Sequence, residues 1–265
     1  MPLLEITHLS KAFGGVQAID DFSISVKEGI IHGLIGPNGA GKTTIFNLIT
    51  GIYTPDSGKV CFYGGGENVI TGKKPWEIAR AGLARTFQNI RLFGNLTALE
   101  NIMIAAHEYI RYNPAQALLR LPSFFRAEKQ TREYCLSLLN AVGLADKQTE
   151  MAKNLPYGYQ RRLEIARALA LRPKLLLLDE PAAGMNGEES LELGGFITTI
   201  KNKFSITILL IEHHMDVVTS LCDTVTVLNF GKTICSGTVS EIKADARVIE
   251  AYLGSGGEVS FGGAL

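Results

Sequence analysis

Residues 36–44 (GPNGAGKTT) combine the residue types needed to grip a chain of phosphates. They contain G-x-x-x-x-G-K-T in Gly36, Gly41, Lys42 and Thr43, with a further glycine at Gly39. Phosphates are bulky and anionic, so the backbone must come close and offer many N–H donors. Glycines permit that approach, Lys42 supplies a point charge, and the Thr43 hydroxyl can ligate Mg²⁺. Pro37, Asn38, Ala40 and Thr44 complete the cradle. A helix beginning near Lys42 would add about half a positive charge at its N-terminus, aimed at the same phosphates. The loop reads as a nucleoside triphosphate site.

A second chemical stretch is LLLLDEP at 175–181. Four apolar residues make a buried, parallel-type strand, and two carboxylates leave its C-terminal end, where open α/β sheets bind ligands. Asp179 is expected to hold Mg²⁺, and Glu180 to polarise an attacking water as general base.

The elements around these residues must deliver them to one place. Residues 30–35 (IIHGLI) read as a short buried strand before the phosphate loop, and 44–49 (TIFNLI) continue as a helix after it. Strands are also expected at 3–9, 21–26, 60–63 and 206–211, and a hairpin at 225–235 turning through Asn229, Phe230 and Gly231. Helices are expected at 76–81, ended by Gly82, at 159–171 and at 187–203. The texture changes after residue 88. Thr97 with Glu100 has capping-box spacing, and Tyr134, Cys135, Leu138, Leu139 and Val142 share one helical face. Pro114 and Pro122 punctuate the span between these two helices. The expected organisation is one domain over 1–265. Its α/β core spans 1–88 and 158–253, a helical insertion 89–157, and a Gly-rich, poorly ordered tail 254–265.

Bulk properties fit a globular chain with a substantial core: 46% apolar and 20% charged residues over 265 positions. Lys plus Arg equals Asp plus Glu at 26 each, so no basic surplus points to nucleic acid. Cys61, Cys135, Cys222 and Cys235 are widely spaced, without a C-x-x-C pair, and are expected to be reduced and buried. No signal-peptide core opens the chain, and no apolar run has the length of a membrane span. Any membrane role is expected to come through a partner.

Taken together, these motifs resemble the ATPase subunit of an ABC transporter, and the stretch before LLLLDEP carries the resemblance furthest. The superfamily's L-S-G-G-Q signature corresponds to Leu155, Pro156, Tyr157, Gly158, Tyr159 and Gln160, continuing into RRLEIARALALRPK. The fit covers nearly the whole chain. It implies a P-loop NTPase core of the ABC type, with an antiparallel β subdomain and an inserted helical subdomain. It implies ATP and Mg²⁺ as ligands, and a head-to-tail pair of ATPase subunits in which each signature closes over the other's ATP. Gln88 matches the glutamine that senses Mg²⁺ and the attacking water, His213 the histidine that contacts the γ-phosphate, and Phe13 the aromatic that stacks on adenine. Asn186 stands where many relatives have Asp.

The signature departs from the usual form. Pro156 replaces a serine and has no N–H, Tyr157 replaces the first glycine, and Tyr159 the glutamine. Phosphate contact from this side would rely on backbone N–H groups around Gly158 and on the helix N-terminus. The form Y-G-x-Q-R-R-L-E-I-A-R-A-L is similar to the branched-chain amino acid uptake branch, as is Ala182 to Asn186. The resemblance therefore implies two membrane permeases, a second ATPase subunit, an extracytoplasmic solute-binding protein acting indirectly, and a place on the cytoplasmic face of the inner membrane. A lipopolysaccharide-type exporter ATPase is the near alternative, and a soluble ABC-type ATPase of DNA repair or translation a distant one.

Overall fold

The computed structural model describes residues 1–65, 69–109 and 121–253. Pro114 and the tail at 254–265 therefore lie outside the described residues. The described residues fall into two compact units, Met1–Gln88 with Lys174–Leu265, and Asn89–Pro173.

The first unit contains two sheets. Strands β1 (Pro2–Phe13), β2 (Val16–Lys27) and β4 (Ser57–Phe62) form an antiparallel sheet in the order β2-β1-β4. Both N-terminal strands run longer than the sequence pattern indicates. Irregular pairing interrupts them at several points, which breaks strict alternation of apolar residues. The second sheet joins β3 (Ile31–Ile35), β5 (Leu83–Arg85), β6 (Leu175–Asp179), β7 (Thr207–Ile211), β8 (Thr224–Asn229) and β9 (Lys232–Gly237). Its order is β5-β6-β7-β3-β8-β9, parallel except for the edge strand β9. Strands β3, β6 and β7 are buried at every position, which is why they read as unbroken apolar runs.

Helices α1 (Lys42–Ile49) and α2 (Pro75–Arg80) belong to this unit and lie in the chain before its excursion into the second. Gly82 follows α2 with φ of 103°, a left-handed stop that glycine makes without a Cβ penalty.

The second unit holds α3 (Ala98–Ala106), α4 (Pro122–Ala141) and α5 (Tyr157–Leu169). Thr97 caps α3 as expected: its hydroxyl accepts from Glu100 N, and Glu100 Oε2 accepts from Thr97 N at 2.8 Å. That reciprocal cap contributes about 1 kcal/mol. Cys135, Leu138 and Leu139 of α4 are fully buried, and Tyr134 Oη donates to Leu169 O of α5. The expected far boundary at 157 needs correction, because α5 packs with α3 and α4 and this unit continues to Pro173. The pattern of α5 alone shows an apolar face, not what that face meets.

After β6 the first unit adds α6 (Gly187–Phe204), α7 (Met215–Leu221), α8 (Val239–Ala244) and α9 (Ala246–Leu253). Asn186 is the N-cap of α6, with Oδ1 accepting from Glu189 N at 2.9 Å. All four thiols are free. Cys135 and Cys222 are buried as expected, and burial pushes them up to about 11 and about 12. Cys61 and Cys235 are only half-buried, being on strands β4 and β9 that present one face outward. Among the described residues no helix is long and apolar enough to cross a membrane.

Candidate active site

Three neighbouring strands of the parallel sheet deliver their C-terminal ends side by side. Register sets Asp179 of β6 opposite Ile211 of β7, and Ile211 opposite Leu34 of β3. The chain leaves β3 into the phosphate loop, β6 into Glu180, and β7 into Glu212 and His213.

The loop is shaped by close approaches. At Gly36 an added Cβ would come within 2.0 Å of Leu228 O, and at Gly41 within 2.9 Å of Ala18 O. Only glycine can bring the backbone that near. Ala40 N donates back to Pro37 O at 3.2 Å, and Ala40 O accepts from Gly231 N at 2.9 Å. Gly41 is the N-cap of α1 with φ of 105°, so the first helical N–H groups face the loop. Lys42 is buried and folded over the loop, its ammonium donating to Gly36 O at 2.6 Å and Pro37 O at 2.9 Å. Burial lowers its pKa, while the charges of Glu180 and Asp179 pull in the opposite direction.

A cavity of about 290 Å³ is lined by Asn38, Gly39, Ala40, Gly41, Lys42, Thr43, Thr44, Gln88 and Glu180. Gln88 Nε2 donates to Glu180 Oε2 at 2.7 Å, so residues 92 positions apart meet across the cavity. Glu180 has φ of 45°, an uncommon left-handed conformation for a side-chain-bearing residue. Its N–H donates to Ile211 O at 3.0 Å, which holds it there. His213 Nδ1 lies 3.8 Å from Glu180 Oε1. The His214 ring packs on that of His213 with centroids 4.1 Å apart.

Two residues that the sequence reading passed over organise these groups. Glu212 is fully buried: Oε1 accepts from Ala182 N at 3.0 Å, and Oε2 from His213 N at 3.2 Å. It therefore joins the turn after β6 to the turn after β7. Arg85 donates through Nη2 to Asp179 Oδ2 at 2.6 Å and through Nη1 to Asn47 Oδ1 at 2.7 Å. Asp179 is thus part of a buried ion pair, an arrangement not expected from its motif. A charged residue at the end of the three-residue strand β5 was the available signal.

Phe13 and the signature residues are not among those lining the cavity. Phe13 is half-exposed at the end of β1, edge-on to Tyr53 with centroids 5.1 Å apart, and Lys11 Nζ is 5.5 Å from its ring. Tyr157, Gly158, Tyr159 and Gln160 form the opening turn of α5 in the second unit. Pro156 is the N-cap, and no side chain caps this helix. Behind the turn, Arg161 pairs with Glu164 at 2.8 Å in complete burial, and its Nη2 donates to Tyr157 Oη at 3.3 Å.

The sequence profile described as ABC transporter matches residues 19–183. The chain belongs to this family. A second profile, described as branched-chain amino acid ATP-binding cassette transporter, matches residues 232–258. The cassette is 42% identical to the high-affinity branched-chain amino acid transport ATP-binding protein BraF of Pseudomonas aeruginosa, over 96% of this chain and 98% of the relative. It is 41% identical to LivG of Escherichia coli, which bears the same description, with the same coverage. Among solved structures it is similar to the ADP conformation of MJ1267, an ATP-binding cassette of an ABC transporter. That match has a TM-score of 0.82 and 32% identity, covering 96% of this chain and 99% of the other. The fold is accordingly that of an ABC ATPase, and the chain is a nucleotide-binding ATPase subunit.

Proposed function

We propose that this cassette powers uptake of branched-chain amino acids or closely related small solutes, working against membrane permeases from the cytoplasmic face of the inner membrane. The 42% identity to BraF and the match at 232–258 support that substrate class. In this reading the functional form is a head-to-tail pair with a second ATPase subunit, and an extracytoplasmic binding protein presents the solute. Nucleic acid plays no part.

The observation carrying the catalytic reading is the Gln88–Glu180 hydrogen bond across a cavity floored by the phosphate loop. ATP phosphates replace the carbonyls of Gly36 and Pro37 as acceptors for Lys42, and the loop amides and α1 N-terminus receive the remaining charge. Phe13 offers a half-exposed face for the adenine. The Thr43 hydroxyl, the Gln88 amide oxygen and the Asp179 carboxylate form an all-oxygen donor set, which suits Mg²⁺. When bound there, Mg²⁺ supplies neutralisation of phosphate charge. Glu180 takes the proton of the water that attacks the γ-phosphate in line, and His213 holds that phosphate. Tyr157, Gly158 and Tyr159 present uncapped helix N–H groups to the ATP of the partner subunit, and Gln160, whose N–H donates to Pro156 O at 3.0 Å, closes the same turn.

Glu180→Gln in the complex assembled with its permeases should cut turnover by roughly 10²–10⁴-fold, the usual worth of a general base, while ATP binding survives. Steady-state phosphate release measures the first and nucleotide titration the second. Near-normal hydrolysis would overturn the assignment. Uptake assays in proteoliposomes, comparing leucine, isoleucine and valine with unrelated solutes, test the substrate class.

A further inference from the structure

We propose that Arg85 is a positioning residue for the Mg²⁺ end of the site, fixing the Asp179 carboxylate and tying it to the helix that follows the phosphate loop. The proposal rests on the reading above that Asp179 holds Mg²⁺.

The Arg85 side chain is 6% exposed and that of Asp179 2%. Charges this deeply buried are tolerated only when paired and held in good geometry. Arg85 meets that demand with one guanidinium used in two directions. Nη2 grips Asp179 Oδ2 at 2.6 Å, and Nη1 grips Asn47 Oδ1 on α1 at 2.7 Å and Oγ1 of Thr50, the C-cap of that helix, at 3.3 Å. The plane is steadied by two aromatic rings, with Phe46 and Phe87 centroids 5.4 and 4.9 Å from the guanidinium carbon.

The arrangement does more than neutralise a carboxylate. Helix α1 begins with Lys42 and Thr43, so anchoring Asn47 and Thr50 fixes Asp179 relative to the helix that carries the Thr43 hydroxyl. Three residues beyond Arg85, Gln88 holds Glu180. One short segment, 85–88, therefore pins both carboxylates that leave β6: the metal ligand through Arg85 and the general base through Gln88. A lysine at 85 keeps the charge but lacks the planar fork that reaches Asp179 and Asn47 together.

The test is calorimetric binding of a non-hydrolysable ATP analogue to the full chain, in EDTA and across a Mg²⁺ series. Wild type is compared with Arg85→Lys, Asn47→Ala and Asp179→Asn, each checked for thermal unfolding. Arg85→Lys should raise the Mg²⁺ concentration needed for tight binding by about 10–100-fold, as expected when a partner of a metal ligand is lost. Affinity in EDTA should be unchanged. Asn47→Ala, which cuts only the α1 anchor, should shift the same curve in the same direction by less, and it serves if Arg85→Lys does not fold. An unshifted Mg²⁺ dependence in these variants, or equal loss of affinity with and without Mg²⁺, overturns the role of Arg85 and leaves the Asp179 reading standing. An unshifted dependence in Asp179→Asn overturns the metal reading and the Arg85 proposal together.

Discussion

The phosphate loop and the opening of the signature helix are both helix N-termini rich in small or unusual residues, yet they are built in opposite ways. The loop is packed tightly from behind at its first and last glycines. Gly36 lies against Leu228 O, Gly41 against Ala18 O and the Ile19 side chain, and Lys42 is bonded into the loop it will later share with phosphate. At the signature, a Cβ on Gly158 would meet nothing within 4 Å, Tyr157 is exposed, and no side chain caps the helix. Neither helix is capped by a side chain, but the first start is braced from behind by its own fold and the second stands open. Tight packing thus distinguishes the phosphate loop from the exposed turn that the proposed head-to-tail pairing would set against a second ATPase subunit.

The contrast can be attacked where it is sharpest. Gly36→Ala should be the most damaging change, because the added methyl overlaps a backbone oxygen and one or the other must move. A stability loss of roughly 3 kcal/mol or more is expected, with loss of ATP binding, measurable by urea unfolding and nucleotide titration.

The buried strand beneath the loop gives an intermediate effect that depends on pH. His32 bonds to Thr224 Oγ1 at 2.8 Å and Thr226 Oγ1 at 2.9 Å, and burial lowers its pKa from 6.5 to about 4. Below pH 6.5 the unfolded chain takes up a proton that the folded chain refuses until about pH 4. Stability should therefore be unaffected by this group above that window and fall through it, by about 3 kcal/mol in all. His32→Gln should flatten that part of the profile in unfolding experiments run from pH 7 to pH 4.

The smallest effect on stability belongs to the signature. Gly158→Ala should change folding free energy by no more than about 0.5 kcal/mol, as for a surface substitution, yet lower hydrolysis in the assembled complex. Destabilisation comparable to Gly36→Ala would break the comparison.

Much of this arrangement was legible in local sequence. The phosphate loop stands between a buried strand and a helix, the carboxylates stand at the end of LLLLDEP, and the Thr97–Glu100 cap is made as its spacing indicates. Each of these is a property of adjacent residues. Arg85 was not legible, because its meaning comes from Asn47 and Asp179, 38 and 94 positions away. Glu212 was hidden in the same way: it reads as one acid among several until Ala182 N is found on it. The allegiance of α5 to the helical unit was missed because an apolar face does not name its partner. Lys42 resting on its own loop was also unforeseen. Its type announces a cation, and its resting acceptors depend on how the backbone curls.

The Gly231 turn shows what such long-range bonds do for the molecule as a whole. Its N–H is given to Ala40 O in the phosphate loop, and its carbonyl is taken by Asp20 N in β2. The turn itself joins β8 to β9 at the far side of the parallel sheet. One residue thereby rivets the loop to both sheets, so the loop cannot loosen without disturbing the seam between them. Nucleotide gripped at 36–44 should then fasten the first unit, and exchange of the Asp20 and Gly231 amides should slow when that site, which neither of them lines, is occupied.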